Sequence, residues 1–246
     1  MLVLVGLGLG MEFDLPLRAL NVLDSCDYIY LESYTGVFDR LKQLEDLTDK
    51  SITVLSRQDV EVDVEFLTLA KKHNVALLVQ GDPLSATTHV SIILDAIKAG
   101  VKYMVINASS IFTAVARTGL SLYKFGKTAS IPFPSKDFDP KSFYKVIEDN
   151  QRIKAHTLCL LDVKTDAHDY MTVPEALKIL KKVDKKGFLK ERVIGCARLG
   201  YKDEQIKYGK ASTLKRFKWK KAPHCLVIPA KALHFIEEEA LKAFSD

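Results

Sequence analysis

The chain has 246 residues, of which 48% are hydrophobic and 27% charged, and it carries a net charge of +5 at pH 7. This composition is typical of a globular protein with one large domain or two modest ones, and it excludes a disordered or collagen-like chain. No run of eighteen apolar residues is present, so we expect no membrane span, and the apolar residues 1–6 are interpreted as a buried strand and not as a signal peptide.

The first half of the chain alternates short apolar runs with longer amphipathic stretches. The apolar runs predict strands at residues 2–5, 28–31, 52–55, 75–79 and 103–106. Helical periodicity covers residues 15–26, 36–47, 62–72 and 89–99. This alternation, with nearly continuous apolar strands, predicts a parallel sheet covered on both faces. We therefore interpret residues 1–112 as an N-terminal α/β domain.

The second half is less regular. Residues 131–134 form an extended, proline-marked segment, and Asp139-Pro140 is expected to open a helix that runs to about Asn150. Thr172 followed by Pro174 and Glu175 is a strong helix start. Further strands are predicted at residues 157–161, 193–197 and 226–228, and a final helix at residues 233–244. We expect a C-terminal α/β domain with a mixed sheet at residues 113–246.

A glycine-rich loop, Gly6-Leu7-Gly8-Leu9-Gly10, directly follows the first predicted strand. Glycines at a strand end allow a sharp turn and a close approach of the backbone to a ligand, and ligands of open α/β sheets bind at this edge. The spacing departs from the Gly-x-Gly-x-x-Gly pattern of dinucleotide-binding proteins, which disfavours a nicotinamide-dependent oxidoreductase. The alternative is a tight turn without a ligand.

A second loop, residues 81–89 (GDPLSATTH), directly follows the strand at residues 75–79. Gly81 and Pro83 favour a turn, and Asp82 is placed at the carboxyl edge of the sheet, where it can accept hydrogen bonds from a ligand. Ser85 and the threonines after it add hydroxyl groups, although they could simply cap the next helix. Two glycine-bearing turns at one sheet edge favour a binding site.

Charge is unevenly distributed, because residues 181–221 contain 15 Lys and Arg but only 4 Asp and Glu, a net charge of +11. This basic stretch is either a solvated surface or a surface that meets an acidic protein or RNA. Aromatic residues alternate with basic ones at residues 215–221, a weak signal for a nucleic-acid-binding module. The four cysteines (Cys26, Cys159, Cys196 and Cys225) form no Cys-x-x-Cys pair, so we expect buried free thiols and no metal.

The two loops together resemble the tetrapyrrole methylase superfamily. Within it, residues 81–89 are similar to the diphthine synthase family, and so are residues 55–61, 110–115, 118–120, 123–127, 160–164 and 170–172. These motifs follow the family's order and span almost the whole chain.

This resemblance implies a cytoplasmic homodimer with two α/β domains that hold S-adenosylmethionine in the cleft between them. It implies successive methylation of the amine of a 3-amino-3-carboxypropyl histidine on translation elongation factor 2, in diphthamide biosynthesis. A methyltransferase of the same superfamily that acts on a corrin or porphyrin precursor is the alternative. Neither a membrane nor a direct nucleic-acid partner is expected. The number of methyl groups transferred stays open.

Site residues are implied by the same resemblance. The cofactor-binding residues would be Leu9, Asp82, Ser85, Ser110, Ile111, Leu161, Leu199 and His224. Asp82, Asp162 and His89 are candidates for accepting the proton of the acceptor amine. Because the sulfonium of the cofactor is already a good leaving group, we hypothesise that none of the three is an indispensable base.

Overall fold

The computed structural model describes residues 1–10, 14–36, 40–135, 141–164 and 169–245. These residues form two compact units, which divide after residue 112. Each unit is built around a five-stranded sheet of its own. Within the described ranges, no helix has the length and apolar character needed to cross a membrane.

The first unit contains a wholly parallel sheet, as the sequence predicts. Its strands are β1 (Leu2–Gly6), β2 (Tyr28–Glu32), β3 (Thr53–Leu55), β4 (Val75–Val79) and β5 (Tyr103–Ile106). Their order across the sheet is β3-β2-β4-β1-β5, so the fully buried strands β1 and β4 are central. Successive residues of these strands enter two separate apolar clusters, one on each face of the sheet.

The helices of this part are shorter than the periodicity predicts. They are α1 (Leu17–Asp24), α2 (Leu41–Thr48), α3 (Glu65–Leu69), α4 (Val90–Lys98) and α5 (Ile111–Ala114). The prediction of one helix over residues 62–72 is wrong, because Val64 adopts a left-handed conformation (φ 42°) that separates a short π-helical turn from α3. Residue 36 is not helical, and residues 37–39 lie outside the described ranges.

The second unit contains the expected mixed sheet. Its strands are β6 (Ala129–Ile131), β7 (Thr157–Leu161), β8 (Val163–Lys164), β9 (Asp169–Tyr170), β10 (Arg192–Ala197), β11 (Gln205–Lys210) and β12 (His224–Ile228). The main sheet has the order β11-β10-β12-β7-β6, while β8 and β9 form a separate hairpin. Among these described strands, β6 and β7 pair in parallel, and the other pairs of the main sheet are antiparallel.

The described part of this unit contains the helices α6 (Ser142–Arg152), α7 (Val173–Val183), α8 (Ala211–Arg216) and α9 (Phe235–Lys242). The predicted start of α7 is confirmed, since Thr172 and Glu175 form a capping box with a proline in the first turn. The predicted helix opening at Asp139-Pro140 lies outside the described residues. Strand β11 and helix α8 were not predicted, because their sequence is rich in lysine and lacks a continuous apolar run.

Trp219, in the basic segment at residues 215–221, packs inward. Its indole Nε1 donates a hydrogen bond to the Leu214 carbonyl at 2.9 Å, and its ring lies against Gly195, where a Cβ atom would meet it at 2.6 Å. Trp219 also packs edge-on against Phe217, with ring centroids 4.8 Å apart. The alternation of basic and aromatic residues therefore anchors a loop to the core of this unit, which weakens its interpretation as a nucleic-acid platform.

A buried ionic network fastens α9 to the second unit. The Glu237 carboxylate, only 2% exposed, accepts hydrogen bonds from Lys124 Nζ at 2.7 Å, from His156 Nε2 at 2.9 Å and from the Ser121 backbone at 3.0 Å. The other imidazole nitrogen of His156 accepts a bond from the Ala230 backbone at 2.9 Å. Each member of the network therefore has a fixed role in holding the helix.

Candidate functional site

Three loops meet at the carboxyl edge of the parallel sheet, after the adjacent strands β4, β1 and β5. Gly8 and Gly81 exchange two backbone hydrogen bonds, of 3.1 Å and 2.8 Å, and so join the first loop to the second. Both glycines have positive φ angles (72° and 76°), which other L-residues adopt only with strain. The two glycine turns identified in the sequence thus form one structure.

Gly6 lies where the three loops are closest. A Cβ atom at this position would lie 2.7 Å from both the Ala108 Cβ and the Gly81 carbonyl oxygen, and 3.0 Å from Pro83 Cδ. Only a hydrogen atom fits there. The missing side chain therefore allows the three loops to form a single surface at the sheet edge.

Asp82 ties the second loop to the third. One carboxylate oxygen accepts hydrogen bonds from the Leu84 backbone at 2.9 Å and the Ser85 hydroxyl at 3.0 Å. The other accepts bonds from Asn107 Nδ2 at 2.9 Å and the Ala108 backbone at 3.2 Å. Burial alone would raise the pKa of Asp82, but these four hydrogen bonds lower it overall below its ordinary value. Asp82 is therefore an ionised clamp.

The other residues that the resemblance implies in this unit lie at the same edge. Leu9 is in the first loop, and its backbone donates to Asp14 Oδ2 at 3.2 Å. Ser110 follows β5 and is buried, and its hydroxyl accepts a hydrogen bond from the Phe112 backbone at 3.2 Å. Ile111 is the first residue of α5. The fold therefore brings Leu9, Asp82, Ser85, Ser110 and Ile111 to one sheet edge.

Unsatisfied polar atoms accompany the second loop. Gln80 Oε1, Thr87 Oγ1 and His89 Nδ1 are buried and have no hydrogen-bond partner of standard geometry in the described part of the chain. Buried polar atoms without partners are rare, because each costs about 1–3 kcal/mol. Their presence beside a glycine-lined edge fits a polar organic ligand, such as a nucleoside, that supplies the missing hydrogen bonds.

The implied site residues of the second unit also lie together, at one edge of the mixed sheet. His224 begins β12 and pairs in register with Ala197, the last residue of β10. Leu199 lies two residues beyond that strand end. Cys225 pairs with Leu160, so Leu161, the last residue of β7, lies beside His224. Leu161, Leu199 and His224 are all buried.

Both ring nitrogens of His224 have protein partners. Nδ1 accepts a hydrogen bond from the Val173 backbone at 3.2 Å, while Nε2 donates to the Lys220 carbonyl at 2.8 Å. Burial lowers the pKa of His224, so the neutral ring is favoured. The side chain therefore holds the start of α7 against the loop before β12.

The three candidate proton acceptors differ in their availability. Asp82 is fully engaged, and Asp162 accepts backbone hydrogen bonds from Phe133 at 2.9 Å and Val163 at 3.1 Å. His89 is 1% exposed, and its Nε2 lies 3.2 Å from the Tyr34 hydroxyl. Its Nδ1 makes no hydrogen bond of standard geometry to the described residues, although the Pro83 carbonyl lies nearby. Burial lowers the pKa of His89, which keeps it neutral.

Several residues at or near these two sheet edges were missed by the sequence reasoning. Asn107, which donates to Asp82, follows a strand directly, and that position was the available signal. Tyr34 is half-buried beside His89, and the buried Glu32 carboxylate accepts hydrogen bonds from the backbone of Tyr34 and from Thr35. Arg198 has a left-handed backbone (φ 56°), and its guanidinium binds Asp203 at 2.7 Å. Nothing in the sequence pattern distinguishes it from the surrounding basic residues.

Among the residues that the structure describes, no group of three or more His, Cys, Asp and Glu side chains could hold a metal ion. The four cysteines are free and buried. Burial raises the pKa of Cys159, so its thiol stays protonated.

Comparison with known proteins gives a consistent result. The family of Tetrapyrrole (Corrin/Porphyrin) Methylases matches residues 1–215. Diphthine synthases of Methanococcus maripaludis and Methanocaldococcus jannaschii are 42% and 41% identical to this chain, and each match covers 98% of both chains. A crystal structure of a diphthine synthase matches with a TM-score of 0.92 and 35% identity, over 100% of this chain and 96% of that chain.

Proposed function

This chain belongs to the diphthine synthase family of the tetrapyrrole methylases, and from that membership we propose that it methylates a modified histidine of translation elongation factor 2. The acceptor is the amine of a 3-amino-3-carboxypropyl group on that histidine, and methyl groups are added successively. The observation that carries the proposal is the full-length similarity to diphthine synthases, which covers 98% of this chain and 98% of each relative. A shared superfamily domain alone would support only methyl transfer.

The proposed cofactor is S-adenosylmethionine, which supplies an activated methyl group on its sulfonium when bound. In the first unit, Leu9, Ser110 and Ile111 are the proposed contacts, together with the loop that Asp82 and Ser85 hold in place. Leu161, Leu199 and His224 are the proposed contacts from the second unit. Backbone amides and carbonyls carry much of this binding, because most of these side chains are apolar or already hydrogen-bonded within the protein.

The described side chains support catalysis by positioning more than by a strong base. An amine acceptor must lose a proton before it attacks, and that proton can pass to water. Asp82 is a poor acceptor, since four donors stabilise its ionised form. His89 is favoured in its neutral form but is only 1% exposed, and its ring nitrogens lie beside the Tyr34 hydroxyl and the Pro83 carbonyl, so none of the three candidates stands out as a base. We expect alignment and exclusion of water to account for most of the rate enhancement.

The test is a mass measurement on elongation factor 2 that carries the unmethylated 3-amino-3-carboxypropyl histidine. After incubation with this protein and S-adenosylmethionine, the modified peptide should gain whole methyl units, and their number gives the count of transfers. A preparation that binds the cofactor but adds no methyl group would contradict the proposed acceptor. Methylation of a uroporphyrinogen-type compound in the same preparation would then establish the tetrapyrrole alternative.

Family membership supports a homodimer, which sedimentation at micromolar concentration would detect.

A variant tests whether the reaction needs a particular base. His89→Ala, with cofactor binding intact, should slow methyl transfer by less than about 100-fold if no single base is required. A loss of several orders of magnitude would contradict that part of the proposal.

A further inference from the structure

The second unit contains a cavity that the proposed methyl transfer does not use. Its volume is about 600 Å³, within the range of small-molecule sites. The lining combines basic side chains with an aromatic ring, and its key members are Lys186, Lys190, Arg192, Lys210, Lys231 and Tyr208. Lys186 and Lys190 lie between α7 and β10, and Arg192 begins β10. Tyr208 and Lys210 lie at the end of β11, and Lys231 follows β12.

The cavity lies at the edge of the mixed sheet opposite to the proposed cofactor contacts. Strand β12 begins at His224 and ends at Ile228, and Ile228 and Pro229 line the cavity. Strand β10 runs antiparallel to it, so Arg192 at its start lies at the cavity edge while Ala197 pairs with His224. At about 3.3 Å per residue, the length of β12 separates the two edges by about 13 Å. The cavity is therefore a separate site within this unit.

Charge makes the cavity a site for an anion. Among the described lining residues there are five cationic side chains, against a single carboxylate, that of Glu191. No ion pair involves Lys186, Lys190, Lys210 or Lys231 within the ranges that the structure describes. Like charges that converge without counter-ions repel one another, and a bound anion removes that repulsion.

Arg192 is the most constrained of the five cations. Its guanidinium lies over the Tyr208 ring, 5.6 Å from the centroid, and donates to the Ser245 hydroxyl at 3.3 Å. The remaining cations are lysines, which act as flexible point charges and bind phosphate without a fixed geometry. Tyr208 and Phe188 add ring surfaces to the same lining.

We propose that this cavity binds a phosphate-rich anion of nucleotide size. The five cations line one cavity of about 600 Å³ while each remains exposed to solvent, so a compact ligand can contact several of them at once. Several adjacent phosphate groups match several converging lysines better than one carboxylate does. Tyr208 also lines the cavity, so contact between its ring and a base distinguishes a nucleotide from a simple polyphosphate.

The experiment titrates the full-length protein with inorganic tripolyphosphate at low salt and measures heat. Tripolyphosphate contains no adenosine, so it does not compete for a nucleoside site. Removing two cations in the Lys190→Gln/Lys231→Gln variant should weaken binding about tenfold or more. The matched control is Lys218→Gln, an exposed lysine of the same basic stretch that does not line the cavity, and it should change affinity less than about twofold. Melting temperatures confirm that both variants are folded.

A second titration separates a nucleotide from a polyphosphate. With S-adenosylhomocysteine in excess, Tyr208→Leu should weaken ATP binding several-fold and leave tripolyphosphate binding unchanged. Absence of tripolyphosphate binding at millimolar concentration would overturn the proposal, and so would equal losses in the cavity and control variants. Loss of binding to a glutamate-rich peptide or to RNA in the double variant, without loss of tripolyphosphate, would assign the cavity to a macromolecule instead. The tripolyphosphate result does not depend on the methyltransferase proposal.

Discussion

The two edges that hold the proposed cofactor contacts are held together differently, because the first needs an empty position at Gly6 as well as the side-chain hydrogen bonds of Asp82. In the parallel sheet every strand points the same way, so the loops after β1, β4 and β5 all arrive at one edge. The absence of a side chain at Gly6 lets these loops close together. In the mixed sheet, β12 runs opposite to its neighbours β7 and β10, so this edge combines the start of β12 with the ends of β7 and β10. There an imidazole, that of His224, holds the backbone in place.

This difference separates two kinds of sensitivity to mutation. Where loops pack closely around a glycine, an added Cβ atom disrupts the packing, since neighbouring backbone cannot move aside as a flexible side chain does. An edge that depends on a side-chain hydrogen-bond network is damaged when atoms are removed, and the damage is mainly a loss of stability. The first kind should affect binding more strongly than the second.

Gly6→Ala should reduce methyl transfer and cofactor affinity more than any other change proposed for these edges. The added Cβ would lie 2.7 Å from the Gly81 carbonyl and the Ala108 Cβ, so the three loops must separate. A displacement of about 1 Å at a site that aligns reactants can cost about 100-fold in rate, and we expect at least that loss in methyl transfer. Calorimetry with S-adenosylhomocysteine would show the matching loss of affinity.

Gly100→Ala is the control for this change. Gly100 has a positive φ angle (67°), but apart from its chain neighbours no heavy atom of the described residues lies within 4 Å of the place that an added Cβ would take. Alanine there should cost about 1 kcal/mol of stability through backbone strain and leave cofactor binding intact. Equal losses of binding in both variants would contradict the idea that close approach of the loops is what matters.

Asp82→Ala should destabilise the first unit by about 3 kcal/mol, because it leaves the Asn107 amide and backbone donors unsatisfied. The pKa of Asp82 is lowered in the folded state, so its contribution is present above the unfolded pKa and is lost as pH falls through the folded pKa. Denaturant unfolding at pH 7 measures the loss. If the variant is as stable as wild type but does not transfer methyl groups, Asp82 acts as a base and the clamp interpretation is wrong.

Glu237→Gln tests the second unit in the same way and should cost about 2 kcal/mol at pH 7. Burial opposes ionisation of Glu237, but its hydrogen bonds, led by that from Lys124, lower its pKa from 4.5 to about 2. Its contribution is therefore complete above pH 4.5 and is lost as the pH falls toward 2. Stability of the variant should vary less with pH across that window than stability of the wild type. Glu238→Gln, an exposed neighbour on α9, should behave as wild type.

The sequence predicts the first edge well because the parallel sheet makes it simple. Each of the buried strands β1 and β4 is an apolar run that ends in a glycine turn, so pattern alone places Gly8 and Gly81 at the same edge. The contact partners of Asp82 were out of reach, since Asn107 joins it across 25 residues of chain. Helix lengths were overestimated where one backbone angle, as at Val64, breaks the period.

The second edge was much harder to predict. Its residues come from a strand start and two strand ends, and only the pairing of β10 with β12 brings them together. Resemblance to a family supplied Leu161, Leu199 and His224, while periodicity gave only the strands. The sequence pattern does not predict strand β11, because Gln205, Lys207 and Lys210 give this edge strand the composition of a loop. Long-range pairing, and not local propensity, decides such elements.

His224→Ala should have the smallest effect on stability and on cofactor affinity, and it tests the difference between the two sheet edges most directly. Removing the imidazole leaves the Val173 amide and the Lys220 carbonyl without their partner, at a cost of about 1–2 kcal/mol. Because the ring serves the fold and the proposed contact is through backbone, cofactor affinity should fall less than about threefold at a temperature where the variant is folded.

The pKa of His224 is lowered in the folded state, so its neutral ring favours folding at neutral pH, and that advantage declines as pH falls below the unfolded value of 6.5 toward the lower folded pKa. The variant should therefore show a weaker pH dependence of stability below that value. A large loss of affinity with unchanged stability would mean that the imidazole itself binds the cofactor, and the two sheet edges would then act alike.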